Sequence, residues 1–159
     1  MPRALRPFIL LIILVIVWRS ADPAILAPPS FLSTGTERVA ESFTRCGPGR
    51  GYACVIDGDT FKLGQRKVRV IGIDAPETHP ARCPEEARLG ELATARLQAL
   101  LNDGPFEMNG WVGDASDQYG RDLRALSRTR PDGTVQSIDE TMIASGLAHR
   151  YLGFKTSWC

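Results

Sequence analysis

The sequence predicts a mainly β domain with helices, of the α+β class, and three observations carry that prediction. Short runs of β-branched and aromatic residues recur at 55–56, 60–63, 67–73, 106–112 and 121–127, bounded by Gly, Pro, Asn and Asp, as strands are. One long stretch, Pro84–Asn102, repeats apolar residues at three- and four-residue steps, the period of a helix with one buried stripe. Ser137 with Glu140 forms a capping box ahead of a shorter helix that ends at Gly146. Five strands, with one helix between the third and fourth and a short C-terminal helix, suit a five-stranded Greek-key barrel of the OB type. Such a fold does not by itself fix function.

The elements follow in order. Gly64-Gln65 turns the second strand into the third. In the third run Val68 and Val70 fall on one face and Ile71 and Ile73 on the other. Two apolar faces suit a curved, closing sheet, with Gly72 marking a bulge. Arg69 stands in that run without a packing reason. Pro84 suits the first helical turn, and Glu85 and Glu86 suit the positive end of the helix dipole. Leu89, Leu92, Ala93, Leu97, Leu100 and Leu101 form the expected stripe, and Asp103-Gly104-Pro105 stops the helix. Pro131-Asp132-Gly133 turns the last strand toward the second helix.

The 159 residues, 43% hydrophobic and 23% charged, are ordinary for one domain with an appendage. The formal charge is +1. Arg3, Arg6 and Arg19 precede every acid, so the rest of the chain holds sixteen basic against eighteen acidic side chains, a net −2. This excludes a strongly basic, sequence-tolerant nucleic-acid binder, and any contact with nucleic acid must come from local placement of charge. Arg3 and Arg6 are followed by an unbroken apolar run of eleven residues, Phe8 to Trp18. That length fits a signal-peptide core better than a full span, which needs ~20 apolar residues. No small-x-small pair follows it, so a cleaved signal and a retained anchor, with Ala4 and Leu5 lengthening the span, both stand. Both export the rest of the chain to the periplasmic or extracellular side, and an uncleaved segment makes the membrane a partner. The expected organisation is 1–19 as signal peptide or anchor, 20–51 as a Pro-, Ala-, Ser- and Thr-rich tether, and 52–159 as a monomeric domain. Cys46, Cys54, Cys83 and Cys159 suggest two disulfides in an oxidising compartment, with three possible connectivities. Cys46–Cys54 with Cys83–Cys159 is favoured, because the first pair closes the short loop CGPGRGYAC. No CxxC pair suggests zinc.

Charges gather at strand ends in VIDGDTFKLGQRKVRVIGIDAPET. Asp57-Gly58-Asp59-Thr60 alone could be a turn, 73–77 a strand exit fixed by proline, and Asp117-Gln118-Tyr119-Gly120-Arg121 a solvated hairpin. Together they suggest an open site for a hard cation with oxygen ligands: the Asp59 and Asp74 carboxylates, the Ala75 carbonyl and water. Such a cation polarises a phosphoryl oxygen and binds an attacking water. Glu77 is placed to accept that water's proton, and Arg69 and Arg121 could fork onto phosphate oxygens, which lysine cannot do bidentately.

DGDT, RVIGIDAPE and DQYGR, in this order and spacing, resemble the staphylococcal-nuclease or thermonuclease family over roughly residues 54–151. The resemblance implies an OB-fold and calcium-dependent endonucleolytic hydrolysis of DNA and RNA, leaving 3′-phosphate ends. By motif it implies Asp59 and Asp74 as calcium ligands with Ala75 through its carbonyl. Arg69 and Arg121 become the phosphate-binding arginines, Arg121 near the leaving group, and Glu77 the general base. Tyr119 would line the nucleotide site, with Asp57 and Thr60 standing behind the ligands. Two departures stand out. GLAHRYLGF places Tyr151 one position out of step, with Leu152 where a tyrosine is expected, and no third C-terminal helix precedes Cys159. A disulfide from Cys159, with ~2–4 kcal/mol typical of such bonds, is expected in that helix's place. His79 suits an exposed loop better than a hard-oxygen site, His149 suits either the surface or the negative end of the short helix's dipole, and Trp111 and Trp158 suit the core better than base stacking. The rival reading is an OB-type binding module at the cell envelope that has lost activity, and a structural envelope protein is a third. Neither needs Asp59, Arg69, Asp74, Glu77 and Arg121 together.

Overall fold

The computed structural model describes residues 28–49, 51–112 and 116–159. The apolar run at 8–18, with its reading as signal or anchor, lies outside the described residues. Among those described, no helix is long and apolar enough to cross a membrane.

The strands are β1 (Glu37–Val39), β2 (Thr44–Arg45), β3 (Ala53–Asp57), β4 (Thr60–Leu63), β5 (Arg66–Val70), β6 (Ile73–Asp74), β7 (Phe106–Asn109), β8 (Asp122–Thr129), β9 (Val135–Ser137) and β10 (His149–Arg150); the helices are α1 (Pro84–Asn102) and α2 (Ile138–Ala144). The main sheet runs β1-β7-β8-β5-β4-β3-β2, with β9 on β8, and β10 pairs separately with β6. β3, β4, β5, β7 and β8 are the five expected strands. β5 and β8 run parallel, while β3–β4, β4–β5 and β7–β8 are antiparallel. This is an OB-type half-barrel of α+β class, with α1 inserted between the third and fourth of those strands.

The expected third strand breaks at Gly72, whose φ of 78° lies in the left-handed region that glycine adopts without a Cβ clash. Val68 and Val70 before the break are fully buried. The core gathers Phe61, Phe106, Met108 and Leu126 from the sheet with Leu97 and Leu101 of α1 and Ile138 and Met142 of α2. Within α1 the buried face runs through Gly90, Ala93, Thr94, Leu97, Leu100 and Leu101. Leu92, expected in that stripe, is exposed, because Gly90 and Thr94 rather than leucines mark the line of closest approach. Arg128 of β8 closes the C-terminal end of α1, donating to Leu100 O at 2.6 Å and, in the turn beyond the helix, to Gly104 O at 2.8 Å. Leu100 O is one of the carbonyls a helix end leaves without an intrahelical partner. Ser137 caps α2 by accepting from Glu140 N at 3.2 Å, as its sequence implies.

The tether expected at 20–51 is corrected by its described part. β1 pairs with β7 at one edge of the half-barrel and β2 with β3 at the other, so residues 37–45 bridge the open side. Val39 and Phe43 are buried there. Phe43 meets Phe61 edge-on, centroids 5.5 Å apart, and its backbone is clamped by α1: its N–H donates to Asn102 Oδ1 at 2.7 Å, and its carbonyl accepts from Gln98 at 3.0 Å and Asn102 at 2.8 Å. Compact structure therefore begins before Tyr52. All four cysteines are paired, Cys46 with Cys54 and Cys83 with Cys159.

Candidate active site

Two close approaches assemble the site. A Cβ on Gly58, in the turn between β3 and β4, would lie 2.5 Å from Ala93 Cβ and 2.7 Å from Ala75 Cβ. A Cβ on Gly90 of α1 would lie 2.7 Å from the Glu77 carbonyl oxygen. Real Cβ atoms do not come so near, so the absence of a side chain at both glycines lets the helix seat the 57–60 turn against the 74–77 segment.

Asp59 is buried at the centre. Its Oδ1 accepts from an Arg69 Nη at 2.6 Å and from Thr60 Oγ1 at 2.8 Å, and its Oδ2 from Ala75 N at 3.1 Å. Burial works against the Asp59 carboxylate, but the Arg69 charge, the Ala75 N–H and the Thr60 hydroxyl hold its pKa below the ordinary value. Asp57 stands behind it, accepting from Asp59 N at 3.1 Å. Burial first, and the charge of Asp59 second, push the Asp57 carboxyl up to about 7. Alternation in β5 turns Val68 and Val70 into the core, while Lys67 and Arg69 share the other side. Arg69 is 7% exposed. Beyond Asp59 it reaches Ile73 O at 3.2 Å and lies 3.7 Å from Asp74 Oδ1.

Asp74 is buried too, and its Oδ1 has no hydrogen-bond donor. Its nearest cations are Arg69 and, at 3.5 Å, the Lys155 ammonium. Burial above all raises its pKa, against the pull of Lys155. Lys155 lies closer to Glu77, 2.7 Å from Oε1. Burial disfavours that ammonium, yet the hydrogen bond and charge of Glu77 hold its pKa above the ordinary lysine value.

DQYGR folds around the carboxylate of Asp117. Asp117 Oδ1 accepts from Tyr119 N at 2.9 Å and Arg121 N at 3.0 Å, and Oδ2 from Arg121 Nε at 2.7 Å. The Arg121 guanidinium lies 5.4 Å from the centroid of the exposed Tyr119 ring. A cleft of about 790 Å³ brings these parts together, lined by Arg69, Glu77, Tyr119, Arg121, Tyr151 and Lys155 among others. Asp59 and Asp74 lie beneath it, tied to its wall by the Arg69 and Lys155 contacts.

The three motifs thus meet at one cleft. His79 is an exposed loop residue, and Trp158 stacks on His149 with centroids 3.7 Å apart. Two residues were missed by sequence reasoning. Asp117 was read as part of a solvated hairpin, though an Asx preceding a Gly turn is itself a loop-building signal. Lys155 carries no local signal, since the fold of the tail alone brings it to Glu77.

Among the described residues no three His, Cys, Asp or Glu side chains form a preformed metal cage. The donor set still fits a hard cation: two carboxylates, Asp59 and Asp74, with a buried Asp74 oxygen that lacks a donor and an open cleft for water.

The half-barrel thus buries paired aspartates beneath a cleft lined by Arg69, Arg121 and Lys155 together with Glu77. Residues 67–157 match the family described as staphylococcal nuclease homologue, and the chain belongs to that family. It is 38% identical over 98 residues to Endonuclease YncB of Bacillus subtilis (strain 168), a match covering 58% of this chain and 43% of that protein. It is 37% identical over 98 residues to the SPbeta prophage-derived endonuclease YokF of the same organism, covering 58% of this chain and 31% of that protein. The chain spans less than half the length of these curated relatives.

Proposed function

We propose that this chain is a calcium-dependent nuclease that hydrolyses phosphodiester bonds of DNA or RNA endonucleolytically and leaves 3′-phosphate ends. The observation that carries the reading is the meeting of Arg69, Arg121 and Glu77 at one cleft above the Asp59–Asp74 pair. Asp59 and Asp74, with the Ala75 carbonyl, would hold the calcium. When bound, calcium supplies Lewis-acid polarisation of the phosphoryl oxygen and a more acidic water.

This chain's own groups perform the rest. Arg69 and Arg121 fork onto the non-bridging oxygens and stabilise the charge that grows as phosphorus becomes pentacoordinate. Glu77 accepts the proton of the attacking water. The new P–O bond forms as the bond to the 5′-oxygen breaks, and the leaving oxygen takes a proton from solvent beside Arg121, whose guanidinium stays charged. Tyr119 offers an exposed ring at the cleft for the nucleotide. The names of the two endonuclease relatives and the retention of all five site residues favour an enzyme over an inactive binding module.

Export, as a secreted or membrane-held monomer on the periplasmic or extracellular side, belongs to the same proposal, and two disulfides suit an oxidising compartment. The test is plasmid nicking by the purified full chain in calcium and in excess chelator. Cleavage is expected with calcium only, and Arg121→Ala should lower turnover by about 10²–10³-fold with an unchanged circular-dichroism spectrum. Nicking that persists in chelator would refute the metal dependence, and near-normal turnover of Arg121→Ala would refute that residue's role.

A further inference from the structure

One cation at the rim of the cleft is carried by the C-terminal tail. Lys155 lies in the segment 151–159, which forms no helix or strand and is fastened near its end twice. Trp158 stacks on His149 of β10, and Cys159 is bonded to Cys83, the N-cap residue of α1. These anchors set the Lys155 ammonium 2.7 Å from Glu77 and 3.5 Å from Asp74. Arg69 is held in the same way, 2.6 Å from Asp59 and 3.7 Å from Asp74. Each is a cation that faces the cleft and rests on the carboxylates beneath it.

An ammonium that close to Asp74 is repelled once a divalent cation takes that carboxylate, and Glu77 must be clear of it to accept a proton, since like charges ~4 Å apart repel strongly near a protein surface. The lysine stem is long and flexible, and its side chain is 42% exposed, so the ammonium can swing while residues 158–159 stay fixed. The other charged groups of the cleft wall are Lys67, Arg69, Arg121 and Asp117, and the Asp117 carboxylate is already held by Arg121 at 2.7 Å. The counter-charge then within reach is a substrate phosphate. We propose that Lys155 is a third phosphate-binding residue, which exchanges Glu77 and Asp74 for a phosphodiester of the substrate as the site fills. The inference rests on the phosphodiesterase reading and adds a residue that no motif selects.

The test is direct binding of a fluorescein-labelled single-stranded deoxyoligonucleotide in calcium, followed by anisotropy from about 50 to 200 mM KCl. It uses the Glu77→Gln protein to slow cleavage, with and without Lys155→Met or Lys155→Arg. KM is measured over the same salt range with Glu77 intact. Loss of one phosphate contact should weaken binding about five- to tenfold and reduce the slope of log K against log salt by about 0.7. KM should rise in parallel, and Lys155→Arg should restore both. A merely structural lysine would leave the salt slope unchanged, and that result overturns the proposal. So does a Lys155→Met protein that binds calcium more tightly by titration calorimetry and cleaves faster, which would make Lys155 a plug. Absence of nicking by the parent chain would instead refute the nuclease reading itself.

Discussion

Asp117 shows how one carboxylate sets the direction of an arginine at the cleft. It accepts two backbone N–H groups of its own loop through Oδ1 and holds Arg121 Nε through Oδ2. Burial opposes the charge, but these hydrogen bonds keep its pKa below the ordinary aspartate value. Asp117→Asn keeps an acceptor for the loop and removes the charge that orients the guanidinium. Turnover is expected to fall about tenfold or more, because small misplacements of a catalytic group are costly. The melting midpoint should barely move, since partly exposed ion pairs contribute ~0–1 kcal/mol. A rate assay beside a thermal melt checks both, and an unchanged rate would remove Asp117 from the site. Arg69 and Arg128 mark what a sequence shows of such residues. Arg69 was legible because its motif places acids around it. Arg128, 6% exposed, was not, because it is held chiefly by the backbone carbonyls of Leu100, Gly104 and Pro105, and a carbonyl leaves no mark in a residue pattern.

Among the elements, the 37–45 segment changes the picture most. Strands of three and two residues have no periodicity to read, and Val39 and Phe43 stand singly among polar neighbours, so composition suggested a tether. Only the free edges of β3 and β7 give them partners. The strap is also tied electrostatically, because Arg66 of β5 makes a two-pronged ion pair with Glu37 of β1. The Arg66 hydrogen bond holds the Glu37 pKa below its ordinary 4.5. A depressed carboxylate contributes stability above its unfolded pKa and loses it as pH falls through the folded value. Glu37→Gln should therefore cost about 0.5–1 kcal/mol at pH 7, discounted for the solvent exposure of both partners. The gap to the parent should close well below pH 4.5. Urea unfolding at neutral and acid pH reads this directly, and a gap of equal size at both would assign the loss to packing.

At the scale of the molecule, an OB-type barrel has two edges to reconcile, and here they do not meet. The main sheet ends at β1 and at β2, consecutive strands of one strap, so the chain ahead of the five-stranded unit completes its core. Motif and periodicity made the five strands, both helices and the acid–arginine cleft legible, since each is encoded within a few residues. The strap and the Lys155 tail were not, since part of what holds each lies far along the chain, as with Phe43 and Asn102, 59 residues apart, and Lys155 and Glu77, 78 apart. A protein begun at Tyr52 would lose Val39, Phe43, the Cys46–Cys54 bond and the hydrogen bonds of β1 and β2. Burying an apolar side chain of this size is worth ~1.5–3 kcal/mol, and a disulfide typically ~2–4 kcal/mol. Their sum approaches the whole stability of an ordinary domain, about 5–15 kcal/mol. The shortened chain should therefore lack a cooperative melt and nick no plasmid, although every motif residue is present, whereas a chain begun near residue 28 should melt cooperatively and cleave. A cooperative, active protein starting at Tyr52 would show that the strap is dispensable and that the five strands close without it.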